Sequence, residues 1–214
     1  MARTLDHDAL VRMLMTAAEE IRRNHETLTR LDSVGGDGDH GTTMLRAMSC
    51  LEKAVDASGS QNLESLLYDV GWAILGVDGG ATGPLLGTFF MSMSEEAAGK
   101  DALDVSALAT MFEAGLAGVH KQTKAQIGDK TVIDALAPAV IAMREAADGG
   151  AAIVEALRRA ADAAEQGASW TKDLQARFGR ARNIKELSIG TPDPGATSIA
   201  LIFRGFVKGV EDNA

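Results

Sequence analysis

Three aspartates, Asp32, Asp37 and Asp39, lie close together in a glycine-rich stretch at residues 31–43, which also holds an imidazole and several hydroxyls. Carboxylates this close repel one another unless a cation neutralises them. Carboxylate oxygens suit hard cations such as Mg²⁺, Ca²⁺ or Mn²⁺. Aspartate and glycine are also common in surface turns, so an ordinary turn is the alternative interpretation of the Asp-Gly-Asp motif.

The spacing in this stretch does not match two familiar ion-binding loops. A calcium EF-hand loop needs further oxygen ligands and a glutamate at its twelfth position, and a phosphate-binding P-loop needs Gly-Lys-Ser/Thr. A helix is predicted to begin at about Gly41, directly after the aspartates. The free N–H groups at a helix start favour an anion, so a phosphate held through Mg²⁺ is the chemistry this stretch favours.

The elements that must position this stretch are helices, because apolar residues recur at helical spacing along the chain. The single chain is predicted to form one all-α domain, residues 1–214, of about eight amphipathic helices. The predicted helices run from Asp6 or Asp8 to about 30, over 41–57, 63–75, 84–98 and 105–122, from the turn at 128–131 to 147, over 151–177, and through 199–207 towards the C-terminus.

Composition narrows the function classes. Hydrophobic residues make up 46% and aromatic residues 4% of the chain, which favours helix over sheet. The net charge of -9 argues against a general nucleic-acid or anionic-membrane binder. The single cysteine, Cys50, excludes an internal disulfide. With no signal-peptide pattern and no membrane-spanning run, a cytoplasmic location is expected.

Four loops rich in glycine or proline fall at about residues 32–43, 79–84, 123–132 and 190–195. They follow the first, third, fifth and seventh predicted helices. In an up-and-down bundle, alternate loops lie at the same end. We therefore expect these four loops to form one rim that gathers carboxylates, glycines and hydroxyls, as a Mg-nucleotide site requires.

The four segments together resemble the L subunit of dihydroxyacetone kinases and the matching C-terminal domain of single-chain dihydroxyacetone kinases. The resemblance is carried by Asp32 with Gly-Asp-Gly-Asp-His-Gly at 36–41, Gly-Gly-Ala-Thr-Gly-Pro-Leu at 79–85, Gly-Asp-Lys-Thr at 128–131, Ser-Ile-Gly at 188–190 and Asp-Pro-Gly-Ala-Thr-Ser at 193–198. It covers nearly the whole chain in the same order. It implies a closed barrel of eight antiparallel helices with ADP or ATP at one end.

The resemblance also implies roles for individual residues. Two Mg²⁺ ions would be held by Asp32, Asp37 and Asp39, which are also the catalytic residues because catalysis is charge neutralisation and positioning of the transferred phosphoryl group. The implied nucleotide contacts are His40, Gly41, Thr42, Thr43, Ala81, Thr82, Thr123, Val132, Arg180, Asp193, Pro194 and Gly195. A phosphorylated carrier role for His40 is the alternative to the phosphate-contacting role that we favour.

In this family the L subunit supplies the phosphoryl group and a separate K-type subunit holds the ketose. Two further interpretations stay open. The chain is either a phosphotransferase-system component whose bound ADP is recharged by a phosphocarrier protein, or a nucleotide-sensing module for a transcription regulator. A homodimer is one oligomeric state that the sequence leaves open.

The chain departs from the family pattern over 181–191, where an aromatic residue, a glycine, an arginine and a histidine of many members are replaced. Thr82 stands where serine is usual, and Thr123 stands where glycine is usual. Because the changed segment is expected on the functional rim, we hypothesise a different partner surface or another small ketose, such as a tetrose.

Overall fold

The computed structural model describes residues 4–59 and 62–211. These residues form eight α-helices, two 3-10 helices and one pair of two-residue strands. The α-helices are α1 (His7–Asp32), α2 (His40–Ala57), α3 (Leu63–Leu75), α4 (Thr82–Ala97), α5 (Val105–Gln122), α6 (Ile133–Asp148), α7 (Ile153–Trp170) and α8 (Pro194–Glu211). The prediction of a predominantly helical protein is confirmed.

Helix starts follow from residue chemistry at several positions. The side chains of Asp6, Asn62 and Asp104 accept hydrogen bonds from backbone N–H groups of α1, α3 and α5, which satisfies donors that the helix itself leaves free. The starts of α2 and α4 differ, because Asp39 and Ala81 make no such side-chain bond there. The starts of α6 and α7 also have no side-chain cap. The α2 and α4 starts belong to loops that the sequence places on the functional rim.

Each helix packs against the next one along the chain, and α8 packs extensively against α1. The core between them consists of leucine, alanine, methionine and a cluster of phenylalanines that includes Phe112, Phe203 and Phe206. Aliphatic side chains and alanine pack closely with little loss of rotamer freedom. No helix in the described part of the chain is both long and apolar enough to cross a membrane.

Three details differ from the sequence-based expectations. The seventh helix ends at Trp170 instead of continuing to 177, and a short 3-10 helix (Thr171–Asp173) follows it. The connection expected to be irregular contains a second 3-10 helix (Arg180–Ser188) with a kink at Lys185. The last helix begins at Pro194, because proline is compatible with the first turn of a helix.

A short antiparallel pairing was also not expected. Strand β1 (Leu5–Asp6) pairs with β2 (Ala102–Leu103). Leu5 and Leu103 are buried in the core. The pairing fastens the segment before α1 to the connection between α4 and α5.

Candidate functional site

The four loops that the sequence predicted to share a rim do surround one cavity, of about 360 Å³. This volume lies in the range typical of small-molecule sites. The 3-10 helix at 180–188 contributes Arg180 and Ala181 to the same lining. The parity argument from helix order therefore placed the loops correctly relative to one another.

The acidic loop holds its three carboxylates close enough to share a cation. One oxygen from each of Asp32, Asp37 and Asp39 lies within 4.8 Å of the others. Gly36 makes this possible, since a Cβ at that position would lie 2.1 Å from an Asp32 carboxylate oxygen. The triad is part-exposed, so an ion can enter from solvent. This donor set suits hard divalent cations, and Mg²⁺ fits it.

Arg180 pairs with one member of this triad. Its guanidinium forms an ion pair with Asp37. The side chain is half-exposed and also lines the cavity. The arrangement places one positive charge beside the three negative ones.

His40 opens α2 beside the aspartates. Its backbone N–H donates to Asp32 Oδ2 at 3.3 Å, and its ring Nε2 lies 2.7 Å from the Ser198 hydroxyl. Burial lowers the pKa of His40, against the opposing charges of Asp32 and Asp39. The ring is therefore fixed by α8 and favours the neutral form. Ser198 was not among the predicted site residues, although it lies within the motif at 193–198.

The hydroxyl of Thr43 is free to bind a ligand. The Thr43 side chain is buried and lines the cavity, and its hydroxyl has no hydrogen-bond partner among residues 4–59 and 62–211. Buried hydroxyls are normally paired. Gly79 packs directly against this threonine, because a Cβ there would lie 2.3 Å from Thr43 Oγ1. The second glycine-rich loop therefore approaches α2 so closely that no side chain would fit at Gly79.

The N-termini of two helices, α2 and α4, contribute residues to the cavity lining. The α2 start carries His40 and the α4 start carries Thr82, and neither has a side-chain cap. Free N–H groups and the positive end of the helix dipole favour anions. Arg46 of α2 donates to the backbone carbonyl of Asp78, in the loop before α4, at 3.2 Å. Together these groups form a cradle that a di- or triphosphate would fit.

The far wall joins the third and fourth loops. Both loops contribute to the cavity lining, which includes Thr123, Thr131, Val132, Asp193, Pro194 and Gly195. Gly195 lies close to Val132, since its Cβ would fall 2.8 Å from Val132 Cγ1. Burial raises the pKa of Asp193 to about 7, although Lys130 opposes this shift. Below this wall the cavity is apolar, with Leu86, Phe89, Leu136 and Ile202 among its lining.

Most predicted site residues line the cavity, and three do not. Asp37 lies at the mouth in the carboxylate triad, as described above. Thr42 is exposed on α2. Gly41 is buried against α1, where a Cβ would lie 2.1 Å from the His25 carbonyl oxygen. The structure therefore gives Gly41 a packing reason that is independent of any ligand.

Comparison with known proteins identifies a family model and several relatives that match most of the chain. The DAK2 domain family matches residues 34–208. The ADP-binding subunit DhaL of PEP-dependent dihydroxyacetone kinase 1 from Listeria innocua is 38% identical over 205 residues, which are 96% of this chain and 98% of the relative. L-erythrulose 1-kinase from Mycolicibacterium smegmatis is 37% identical over 201 residues, which are 91% of this chain and 34% of that protein.

A solved structure matches as well. The dihydroxyacetone kinase of C. freundii in complex with AMP-PNP and Mg²⁺ superposes with a TM-score of 0.67 at 29% identity. The match covers 94% of this chain and 33% of that one. The chain is thus similar over nearly all of its residues to an ADP-binding subunit of about the same length and to about one third of the larger kinases.

Proposed function

Since the chain belongs to the DAK2 domain family, we propose that it is the ADP-binding L-type subunit of a dihydroxyacetone-type kinase. In this role it holds a Mg-nucleotide and donates its phosphoryl group to a small ketose carried on a separate K-type subunit. The observation that carries the proposal is the carboxylate triad beside two uncapped helix starts and the unpaired hydroxyl of Thr43.

Each part of the cavity then has a task. Asp32, Asp37 and Asp39 hold two Mg²⁺ ions, which supply charge neutralisation for phosphoryl transfer when bound. The phosphate oxygens accept hydrogen bonds from N–H groups at the starts of α2 and α4 and from the hydroxyls of Thr43 and Thr82. The remaining predicted contacts, from Thr123 and Val132 to Asp193–Gly195, enclose the nucleoside. In this proposal the reaction needs no nucleophile from this chain.

The donor is proposed to be a phosphocarrier protein that recharges a bound ADP. The Listeria innocua relative, matched over nearly its entire length, is described as PEP-dependent and ADP-binding. The erythrulose kinase is a longer protein of which this chain matches one third. In this role the chain needs a K-type partner and a phosphocarrier partner. Exchangeable ATP is the competing donor.

The acceptor is proposed to be a three- or four-carbon ketose. Relatives of this chain include kinases named for dihydroxyacetone and for erythrulose. The altered segment at 181–191 begins with Ala181, which lines the cavity, so changes in this segment lie close to where a partner-bound ketose would approach. Reconstitution with the cognate K-type subunit should rank the tetrose above dihydroxyacetone by kcat/KM. Dihydroxyacetone as the best substrate by far would exclude the tetrose assignment.

The direct test compares Asp37→Asn with the control Asp101→Asn. Asp101 is an exposed residue in the turn between α4 and α5. Phosphoryl transfer should fall at least about 100-fold in Asp37→Asn, because charge stabilisation of the transferred group is among the largest catalytic terms. Asp101→Asn should retain wild-type activity. Unchanged transfer in Asp37→Asn would refute the metal assignment.

The donor question needs the purified wild-type protein alone. After extended dialysis with Mg²⁺, the protein is denatured and any released nucleotide is identified by mass spectrometry. Stoichiometric ADP supports the phosphocarrier route, and an empty protein that then binds ATP supports an ATP-dependent kinase. An empty protein that binds neither nucleotide refutes the proposed function.

The proposal extends to architecture. The whole chain is proposed to be one nucleotide-binding domain, in which the contact between α1 and α8 closes the eight helices into an antiparallel barrel. The packing of each helix on its successor supports this. An experimental structure in which α1 and α8 lie apart would contradict it.

A further inference from the structure

Lys130 is a buried lysine beside the cavity to which the proposed function gives no task. Only 5% of the residue is exposed to solvent. It lies in the loop between α5 and α6, and its backbone takes a φ of 62°, a conformation that non-glycine residues rarely adopt. A charged side chain is costly to bury unless its donors are paired. A buried ammonium on a strained backbone therefore indicates a specific role.

The Lys130 ammonium joins three separate segments. Its Nζ donates to the carbonyl oxygen of Thr171, at the end of α7, at 2.5 Å. It also donates to the carbonyl oxygen of Thr191, in the connection that leads into α8. These acceptors are 41 and 61 residues away along the chain. One side chain thus fastens the loop before α6 to both ends of the connection between α7 and α8.

Neighbouring hydrogen bonds make each fastened segment stiff. Asp134 is fully buried and accepts from the backbone N–H groups of Gly128 and Thr131, which fixes the loop on either side of Lys130. The Thr171 hydroxyl accepts from the backbone N–H of Asp193 at 2.8 Å. The Lys130 bonds therefore link two units that are already internally bonded. Arg177 joins the same two units, since its backbone N–H donates to the Asp129 carbonyl oxygen at 3.1 Å and its guanidinium pairs with the Asp129 carboxylate near the surface.

These two units lie side by side in the cavity lining. Lys130 lines the cavity together with Thr131 and Val132, which follow it, and Thr191 precedes Asp193–Gly195, which also lines it. We propose that Lys130 is a positioning residue that holds these two lining segments together and thereby sets the affinity for the nucleotide. The inference rests on the proposed function, because it assumes that a nucleotide contacts both segments.

The test is Lys130→Met, which keeps a long unbranched side chain and removes the charge and all donors. ADP affinity in the presence of Mg²⁺, measured by calorimetry, should fall at least tenfold. The concentration of added ADP that gives half-maximal phosphoryl transfer should rise, while kcat at saturating ADP stays within about threefold of wild type. Lys100→Met is the matched control, because Lys100 Nζ also donates to a carbonyl but is exposed at the end of α4. Its ADP affinity should not change.

Chemical rescue separates the ammonium from general damage to the fold. Lys130→Cys in a Cys50→Ala background has one thiol, and alkylation of the unfolded chain with bromoethylamine followed by refolding restores a lysine-like side chain. Nucleotide affinity should return to within about threefold of the Cys50→Ala protein. Hydrogen exchange of the unalkylated variant should accelerate at residues 128–132 and 191–195 without any nucleotide present.

The outcomes are distinct. Unchanged ADP affinity in Lys130→Met, a loss of kcat at unchanged affinity, or failed rescue in a folded alkylated protein overturns the positioning role. Wild-type protein that binds no ADP overturns the proposed function and this inference together. If Lys130→Met does not fold, the alkylated Cys variant and its hydrogen exchange decide the question.

Discussion

The carboxyl group of Asp193 is a weaker acid than that of an ordinary aspartate, because burial raises its pKa. Burial raises its pKa to about 7, whereas an aspartate in an unfolded chain titrates near pH 4. Its Oδ2 accepts a hydrogen bond from the N–H of Ala196 at 2.7 Å, which caps the start of α8. The Asp193 carboxyl group therefore accepts a hydrogen bond that caps α8, although its buried position disfavours its charged form.

This shift predicts a pH-dependent stability in the nucleotide-free protein. The folded state holds the Asp193 proton more tightly than the unfolded state. Its stabilising contribution is therefore fully present below about pH 4 and is lost as pH rises through 7. Asp193→Asn keeps a capping acceptor and cannot ionise. Urea unfolding between pH 4.5 and 8.5 should show wild type losing stability relative to this variant as pH rises.

The control for this experiment is Asp101→Asn, which removes an exposed carboxylate. Its free energy of unfolding should follow that of wild type across the same pH range. Parallel curves for wild type and Asp193→Asn would show that Asp193 ionises normally in the folded protein.

Thr43 predicts a second effect at the scale of one residue. Thr43→Val keeps the shape of the buried side chain and removes its unpaired hydroxyl. The nucleotide-free protein should gain stability, because burying an unpaired hydroxyl is costly. Affinity for Mg-ADP should fall about tenfold, since one hydrogen bond to a charged group is lost. Thermal unfolding with and without nucleotide measures both effects, and equal affinity would exclude Thr43 as a ligand.

At the scale of elements, the helices are held together by close contacts at glycine. A Cβ at Gly205 of α8 would lie 2.3 Å from the Cα of Ala17 on α1, and one at Gly87 of α4 would lie 2.8 Å from the carbonyl oxygen of Gly71 on α3. Further close contacts of this kind are at Gly41, Gly115, Gly118, Gly167 and Gly209. Small residues at these crossings let neighbouring helices approach, which narrows the interior and leaves the cavity at the rim.

Gly205→Ala tests the crossing that joins the first helix to the last. Helix propensity alone would stabilise the protein by about 1 kcal/mol. The contact with Ala17 backbone opposes this with an overpacking cost of roughly 1–3 kcal/mol or more. We expect a net loss, measured by urea unfolding. Gly76→Ala is the control, since a Cβ at Gly76 meets nothing within 4 Å. A stabilised Gly205→Ala protein would show that α1 and α8 are not in close contact.

At the scale of the whole molecule, ligand binding should stabilise the folded state. The cavity lining draws on every α-helix junction at the rim, from residues 31–44 to 193–202. A nucleotide that contacts these loops binds only the folded chain. At 100 times its dissociation constant, ADP with Mg²⁺ should add about 2.7 kcal/mol. EDTA should abolish this gain, because the triphosphate or diphosphate would then face three bare carboxylates.

The control measures the unfolding temperature of wild type and of Asp37→Asn with Mg²⁺ and without nucleotide. If ADP raises the unfolding temperature of wild type equally with and without Mg²⁺, the result contradicts a nucleotide that is bridged by the metal.

The sequence by itself determined the helical class, the acidic triad and the grouping of four loops at one rim. These features depend on local periodicity, on spacing within one loop and on the order of the helices, which a single chain displays directly. The resemblance to dihydroxyacetone kinase L subunits added the expected roles of individual residues. All but three of these residues line one cavity in the structure.

The tertiary structure alone decided how the loops are held together. The Lys130 ammonium meets Thr171 and Thr191, and the His40 ring meets Ser198, 158 residues away. No periodicity or spacing encodes such contacts, because they arise only after packing brings distant segments together. The early end of α7 at Trp170 has the same origin. There Thr171 is buried, and its backbone carbonyl and hydroxyl bond to Lys130 and Asp193.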